Sequence, residues 1–135
     1  MGEVTPEATG SEMFRADRFF QVWQYAVGHR RLLLRSSRDR PPDTRIDIHF
    51  GNVDLMLLRP GYDGLVIRRA DDEECRKAGL DHGVEVAPGR LFVLGGGLMS
   101  GGGLRSFVVS APPQWHEDEG AMDDPSWFGP LRGTC

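Results

Sequence analysis

Cysteine is scarce in this sequence, which contains only Cys75 and Cys135 among its 135 residues. Neither thiol has a neighbour at metal-ligand spacing, and two thiols are too few to build a disulfide framework. No stretch approaches the ~20 consecutive apolar residues that cross a bilayer. Residues 1–13 also lack the basic start and apolar core of a secretory signal. We therefore expect a reduced, cytoplasmic protein that has no membrane partner.

Lysine is almost absent, because fifteen of the sixteen basic residues are arginine. This bias is typical of a GC-rich bacterial genome. The charge is unevenly distributed along the chain: residues 14–69 have a net charge of +5, residues 70–135 of −6 and residues 1–13 of −3. The two halves can therefore neutralise one another within the molecule.

The basic half contains a concentrated arginine segment. Its members are Arg30, Arg31, Arg35, Arg38, Arg40 and Arg45. A nucleic-acid surface would require such a patch together with exposed aromatic side chains for stacking. Asp39 and Asp43 interrupt the segment, and the net acidity of the chain weakens non-specific attraction to phosphates. We expect neutralisation by the acidic half rather than a nucleic-acid partner.

The chain divides into three parts by composition. Residues 1–13 are rich in Gly, Glu, Thr and Pro, which predicts a disordered segment. Residues 14–111 contain the apolar patterning of a single β domain, and residues 112–135 form an acidic, aromatic C-terminal tail.

Two predicted hairpins dominate the β domain. FFQVWQYAV and RRLLLRS flank Gly28-His29, which favours a type II′ turn with Trp23 opposite Leu34 and Tyr25 opposite Leu32. Further pairs are Gln24 with Leu33 and Ala26 with Arg31. Both faces of this hairpin contain apolar residues, so we expect it near the centre of a sheet.

The second predicted hairpin is RIDIHF-GN-VDLMLL, with Gly51-Asn52 as the turn. One face contains Ile46, Ile48 and Phe50, whereas the other is polar. Further strands are predicted at 65–69, 84–86, 90–94 and 104–111, with turns at 60–64 and 88–89. One short helix is predicted after residue 70, capped by Asp71 or Asp72 and ended by Gly79 or Gly83. About eight short strands and one helix predict an all-β, mainly antiparallel sandwich or flattened barrel.

Asp47, His49 and Asp54 form the most chemically suggestive group. In the predicted second hairpin, His49 lies opposite Asp54 and on the same face as Asp47. An aspartate beside an imidazole raises its basicity, and one histidine with two carboxylates can hold a divalent metal. The competing interpretation is a solvated strand face with one ion pair across the strands.

The stretch LGGGLMSGGGL (94–104) contains six glycines. It lacks the lysine and the following helix of a phosphate-binding loop, and it opens no helix as a dinucleotide fingerprint does. It is typical of a long hairpin loop, with glycines inside the strands as the alternative.

The C-terminal tail contains two aromatic islands among acidic residues, Trp115 and Trp127-Phe128. Such a tail either docks on its own domain or presents a motif to a partner protein. We select Trp115, Trp127 and Phe128 as the candidate binding residues.

The runs FFQVWQYAVGHRRLLLRS and TRIDIHFGNVDLMLL are similar to those of a group of small, uncharacterised bacterial β-rich proteins. The resemblance covers about a third of the chain. It implies a β fold and no catalytic residues, because no activity is attached to that group.

These observations favour a non-enzymatic cytoplasmic binding module that acts through protein–protein contacts and needs no cofactor or metal. The alternative is an enzyme that binds a small molecule or metal on the Asp47, His49 and Asp54 face.

Overall fold

The computed structural model describes residues 12–38, 44–95 and 106–129, which form eight strands and one helix. The strands are β1 (Glu12–Ala26), β2 (Arg31–Ser36), β3 (Arg45–Phe50), β4 (Leu55–Leu57), β5 (Gly61–Arg69), β6 (Leu91–Gly95), β7 (Phe107–Val109) and β8 (Gln114–Asp118); the helix is α1 (Asp72–His82). Among these residues, no helix is long and apolar enough to cross a membrane.

All eight strands belong to one antiparallel sheet with the order β4-β7-β6-β5-β1-β2-β3-β8. The predicted all-β, antiparallel fold is confirmed, and the sheet is not closed into a barrel. The sheet is nevertheless strongly curled. The evidence is that the rings of Phe14 on β1 and Trp115 on β8 lie 5.1 Å apart, although two strands separate β1 from β8 in the sheet. The curl lets side chains from opposite parts of one sheet share a core.

The main core lies on the concave face of the sheet. Phe20, Leu34, Ile48 and Phe50 are fully buried there. Helix α1 covers a second, smaller cluster at the β6–β7 end through Cys75 and other small side chains. Each predicted end of this helix is confirmed, because Asp71 forms a reciprocal capping box with Glu74 and Gly83 adopts the left-handed conformation of a C-cap.

The first hairpin confirms most of the predicted register. The observed pairs are Gln24–Leu33, Tyr25–Leu32 and Ala26–Arg31. A bulge follows Val22, which takes the place opposite Leu34, so the predicted Trp23–Leu34 pair is wrong. The turn is also different from the prediction. Residues 27–29 form a short 3₁₀ turn, and Arg30 rather than a glycine takes the left-handed conformation.

The second hairpin does not form. Strand β3 pairs with β2 and β8, whereas β4 pairs only with β7 among the described strands. Residues 51–54 instead cross between strands: the Val53 N–H donates to the Arg30 carbonyl and the Asp54 N–H to the Val109 carbonyl. The physical reason is that Arg45 and Asp47 on the polar side of β3 are buried, and their partners lie on β2 and β8 rather than on β4.

Other boundaries also move. Residues 61–64, predicted as a turn, begin β5, and residues 84–86 form no strand. Strand β1 begins at Glu12, inside the predicted N-terminal segment, and β8 lies inside the predicted C-terminal tail. Residues 1–11 and most of the glycine-rich stretch, 96–104, lie outside the described residues.

Candidate functional site

The convex face of β1, β2, β3 and β8 carries a polar surface, which we call the outer face. The strand register places Arg35 opposite Asp47, Leu33 opposite His49 and Asp47 opposite His116. Because side chains alternate along each strand, these residues point away from the main core. Residues 119–129, which we call the C-terminal segment, lie across this face.

A buried ion pair stands at the centre of the outer face. Arg35 and Asp47 are each 1% exposed, and the guanidinium donates to both carboxylate oxygens at 2.7 and 3.0 Å. The remaining Arg35 nitrogen, Nη1, donates to the main-chain carbonyls of Met122 and Asp124. The Trp23 ring lies over the guanidinium at 5.0 Å. Arg35 therefore joins the sheet to the C-terminal segment.

Arg45 forms a second anchor beside the first. Its Nε donates to Asp118 at 2.8 Å, and its Nη atoms donate to the carbonyls of Ala121, Asp124 and Pro125 at 2.6, 2.8 and 2.7 Å. A planar guanidinium suits this role because it offers five donors in a fixed geometry. Together the two arginines hold the main chain of the C-terminal segment, independently of its side chains.

The end of the C-terminal segment is fixed by Phe128. Its ring packs on Ala26 and Leu33 and stacks on His49 with centroids 5.1 Å apart. Arg31 donates to the Phe128 carbonyl and to His49 Nε2, both at 2.9 Å. The segment thus docks on its own domain, which is the first of the two alternatives that the sequence left open for the tail.

Burial lowers the pKa of His49 below its ordinary value of 6.5, and the nearby Arg31 guanidinium lowers it further. Protonation would also remove the Nε2 lone pair that accepts the hydrogen bond from Arg31. Because the unfolded chain takes up this proton more readily than the folded one, the free energy of unfolding should fall as the pH falls below 6.5.

We expect denaturation curves measured between about pH 7 and pH 5 to show this loss. In His49→Gln, which keeps an acceptor but cannot titrate, the loss should be smaller than in the wild type. An identical pH dependence in both proteins would contradict the assignment to His49.

Two tryptophans flank strand β8 on opposite faces. Trp127 is 65% exposed and stacks on His116 at 4.6 Å on the outer face. Trp115 is 43% exposed and contacts Phe14 on the opposite face. The Phe128 ring lies edge-on against the Trp127 ring, with centroids 5.3 Å apart. The docked Phe128 ring therefore supports the exposed Trp127 ring.

A small cavity of about 180 Å³ lies between Trp23 and residues 123–126. Pockets that enclose drug-sized ligands measure roughly 300–1,000 Å³. The cavity can accept a side chain from a neighbouring molecule more readily than a whole metabolite.

The structure does not bring Asp47, His49 and Asp54 together. Asp47 accepts from Arg35, and His49 accepts from Arg31 and stacks on Phe128 of the C-terminal segment. Asp54 lies beyond the end of β3, where its two oxygens accept from Arg30 and Arg90 at 2.6 and 2.9 Å. Within residues 12–38, 44–95 and 106–129, no group of three His, Cys, Asp or Glu side chains could hold a metal ion.

Three members of the arginine segment are neutralised within the molecule, but the expectation that the acidic half does this holds for Arg45 alone of the three, because Asp47 and Asp54 belong to the basic half. Arg30, Arg35 and Arg45 form ion pairs with Asp54, Asp47 and Asp118, while Arg40 lies outside the described residues. Reasoning from the sequence missed the binding of main-chain carbonyls by Arg35 and Arg45. The available signal was the position of Arg35 directly after three consecutive leucines.

The Cys75 thiol is a further group that could react chemically. It is buried, and burial, together with nearby acidic residues, raises the pKa of its thiol. Both effects disfavour the thiolate, which is the reactive form of cysteine.

No family model, no curated protein and no solved structure matches this chain.

Proposed function

We propose that this protein is a small, non-enzymatic cytoplasmic binding module that acts through protein–protein contacts. The observation that carries the proposal is the exposure of two tryptophans, Trp127 at 65% and Trp115 at 43%, on the two sides of β8. Tryptophan is enriched among the residues that dominate binding energy at protein interfaces. An exposed tryptophan also carries an aggregation risk, which a binding role would justify.

The support beneath these side chains favours a built surface. Arg35 and Arg45 fix the main chain of the C-terminal segment, and Phe128 is docked beside Trp127. A surface held in place before binding loses less conformational entropy when a partner arrives. Of the candidate binding residues, Trp115 and Trp127 would touch the partner, and Phe128 would position Trp127.

The enzyme alternative needs free polar atoms of Asp47, His49 and Asp54 in one place. Both Asp47 oxygens accept from Arg35, and Asp54 lies with Arg30 and Arg90. A metal or substrate would have to displace a buried ion pair to reach Asp47. The geometry therefore supports the binding module better.

Affinity purification of the tagged chain from its host cells tests the proposal, with Trp127→Ala and Trp115→Ala as the variants. Leu80→Ala is the matched control, because Leu80 is 71% exposed on α1, at the opposite end of the sheet. We expect a partner protein in stoichiometric yield with the wild type and Leu80→Ala, and at least about tenfold less with either tryptophan variant.

Equal recovery of the same proteins by all four chains would overturn the proposal. A metal or small molecule that survives native mass spectrometry of the tryptophan variants, and is lost from His49→Ala, would favour the enzyme alternative instead.

A further inference from the structure

Strand β8 offers main-chain hydrogen-bonding groups on one side. It pairs with β3 along its inner edge, and no other strand among the described residues pairs with its outer edge. An open edge of this kind is a template for one more strand. Many domains bind extended peptides by adding them to such an edge, with main-chain hydrogen bonds giving affinity and side chains giving specificity.

The charge around this edge is one-sided. Residues 114–129 contain five acidic side chains and no arginine or lysine. Glu117 and Asp118 are paired with Arg18 and Arg45. Within the part of the chain that the structure describes, Glu119, which follows β8 directly, takes part in no ion pair and leaves an unbalanced negative charge at the end of this strand.

This charge decides between the possible occupants. Pairing of β8 with β8 of a second copy would bring the unbalanced negative charge of Glu119 from both chains to one interface, and like charges across an interface are unfavourable. A strand that contains arginine or lysine would instead complement Glu119. Its cationic groups would also meet the exposed rings of Trp115 and Trp127, which attract cations at their faces.

We propose that β8 binds an extended, arginine- or lysine-containing segment of a partner protein. The segment adds to the sheet as a further strand, with Trp115 on one face of the sheet and Trp127 on the other. This inference rests on the proposed function, because it specifies how that binding surface engages its partner.

Fluorescence anisotropy of labelled peptides with the full-length chain tests this inference. The probe alternates arginine and valine; one control replaces every arginine with glutamate, and a second keeps the arginines but has every backbone nitrogen methylated. We expect the probe to bind saturably, and both controls to bind at least about tenfold more weakly. Trp127→Ala should weaken the probe by about tenfold, whereas Leu80→Ala should leave its affinity unchanged.

Hydrogen exchange locates the complex independently of affinity. Amides within residues 114–118 should gain protection when the arginine–valine peptide binds. Equal binding of the methylated peptide would show simple charge attraction, and protection confined to other strands would place the peptide elsewhere. Either result would overturn the inference.

The two proposals fail in different ways. If the peptide does not bind, and purification of the natural partner still depends on Trp115 and Trp127, strand addition is wrong and the binding module stands. If the natural partner is indifferent to both tryptophans, the proposed function itself is wrong.

Discussion

Asp47→Ala is expected to lower the free energy of unfolding by about 3–5 kcal/mol. The substitution leaves the Arg35 guanidinium, which is 1% exposed, without its carboxylate partner. A buried charge without a counter-charge is among the most expensive defects that a single substitution can create. Urea denaturation of the purified chain, followed by circular dichroism, measures the loss.

Two controls separate this effect from general loss of packing. The double variant Arg35→Met/Asp47→Leu removes both charges together, and we expect it to recover most of the stability. Its C-terminal segment should be cleaved faster by protease, because Arg35 also holds the carbonyls of Met122 and Asp124. Glu73→Ala breaks an exposed ion pair with Arg76 and should leave stability nearly unchanged. A small effect of Asp47→Ala would mean that Arg35 reaches water.

Local patterns predicted the parts of this fold that are close in sequence. The hairpin of β1 and β2 has a short connection, so alternation of residues such as Tyr25 and Leu32 sets the register within it. The capping signals of α1 also act within one turn, which is why Asp71 and Gly83 were identifiable.

The pairing of β3 shows where such patterns stop. Alternation in RIDIHF reports correctly that Ile46 and Ile48 share an apolar face, but it contains no information on which strand lies beside them. The alternation therefore favoured a solvated Asp47 carboxylate. In the structure Asp47 is buried against Arg35, which lies twelve residues earlier in the chain. Burial of paired polar groups depends on contacts between strands. Hydrophobicity patterns along the sequence do not record those contacts.

The candidate site was predictable to a similar depth. The aromatic residues of the tail were identifiable by composition, and the opposite charges of the two halves pointed to docking within the chain. The mode of docking was not visible, because Arg35 and Arg45 bind main-chain carbonyls, which every sequence possesses. Recognition of a backbone leaves no signature in the side chains of the recognised segment, apart from the places where a side chain would obstruct it.

Gly120 is such a place, and Gly120→Ala is expected to destabilise the protein by about 3 kcal/mol through overpacking and loss of charge-assisted hydrogen bonds. A Cβ at this position would lie 2.6, 2.7 and 2.9 Å from the Nη2, Cζ and Nε atoms of Arg45. The guanidinium cannot swing aside at low cost, because Asp118 and three main-chain carbonyls hold it in place. Accommodation of the methyl group therefore requires the C-terminal segment to lift away, which should increase its cleavage by protease and change the fluorescence of Trp127.

A double-mutant cycle with Arg45→Leu assigns the effect to this contact. When the guanidinium is absent, Gly120→Ala should cost far less than in the wild-type chain, because the leucine side chain is shorter and makes no hydrogen bonds that must be broken. Gly51→Ala is the matched control for the change from glycine to alanine, since among the described residues its added Cβ would meet only His49, at 3.4 Å. Equal costs of Gly120→Ala in both backgrounds would place the obstruction elsewhere and would remove Arg45 as the anchor that orders residues 120–125.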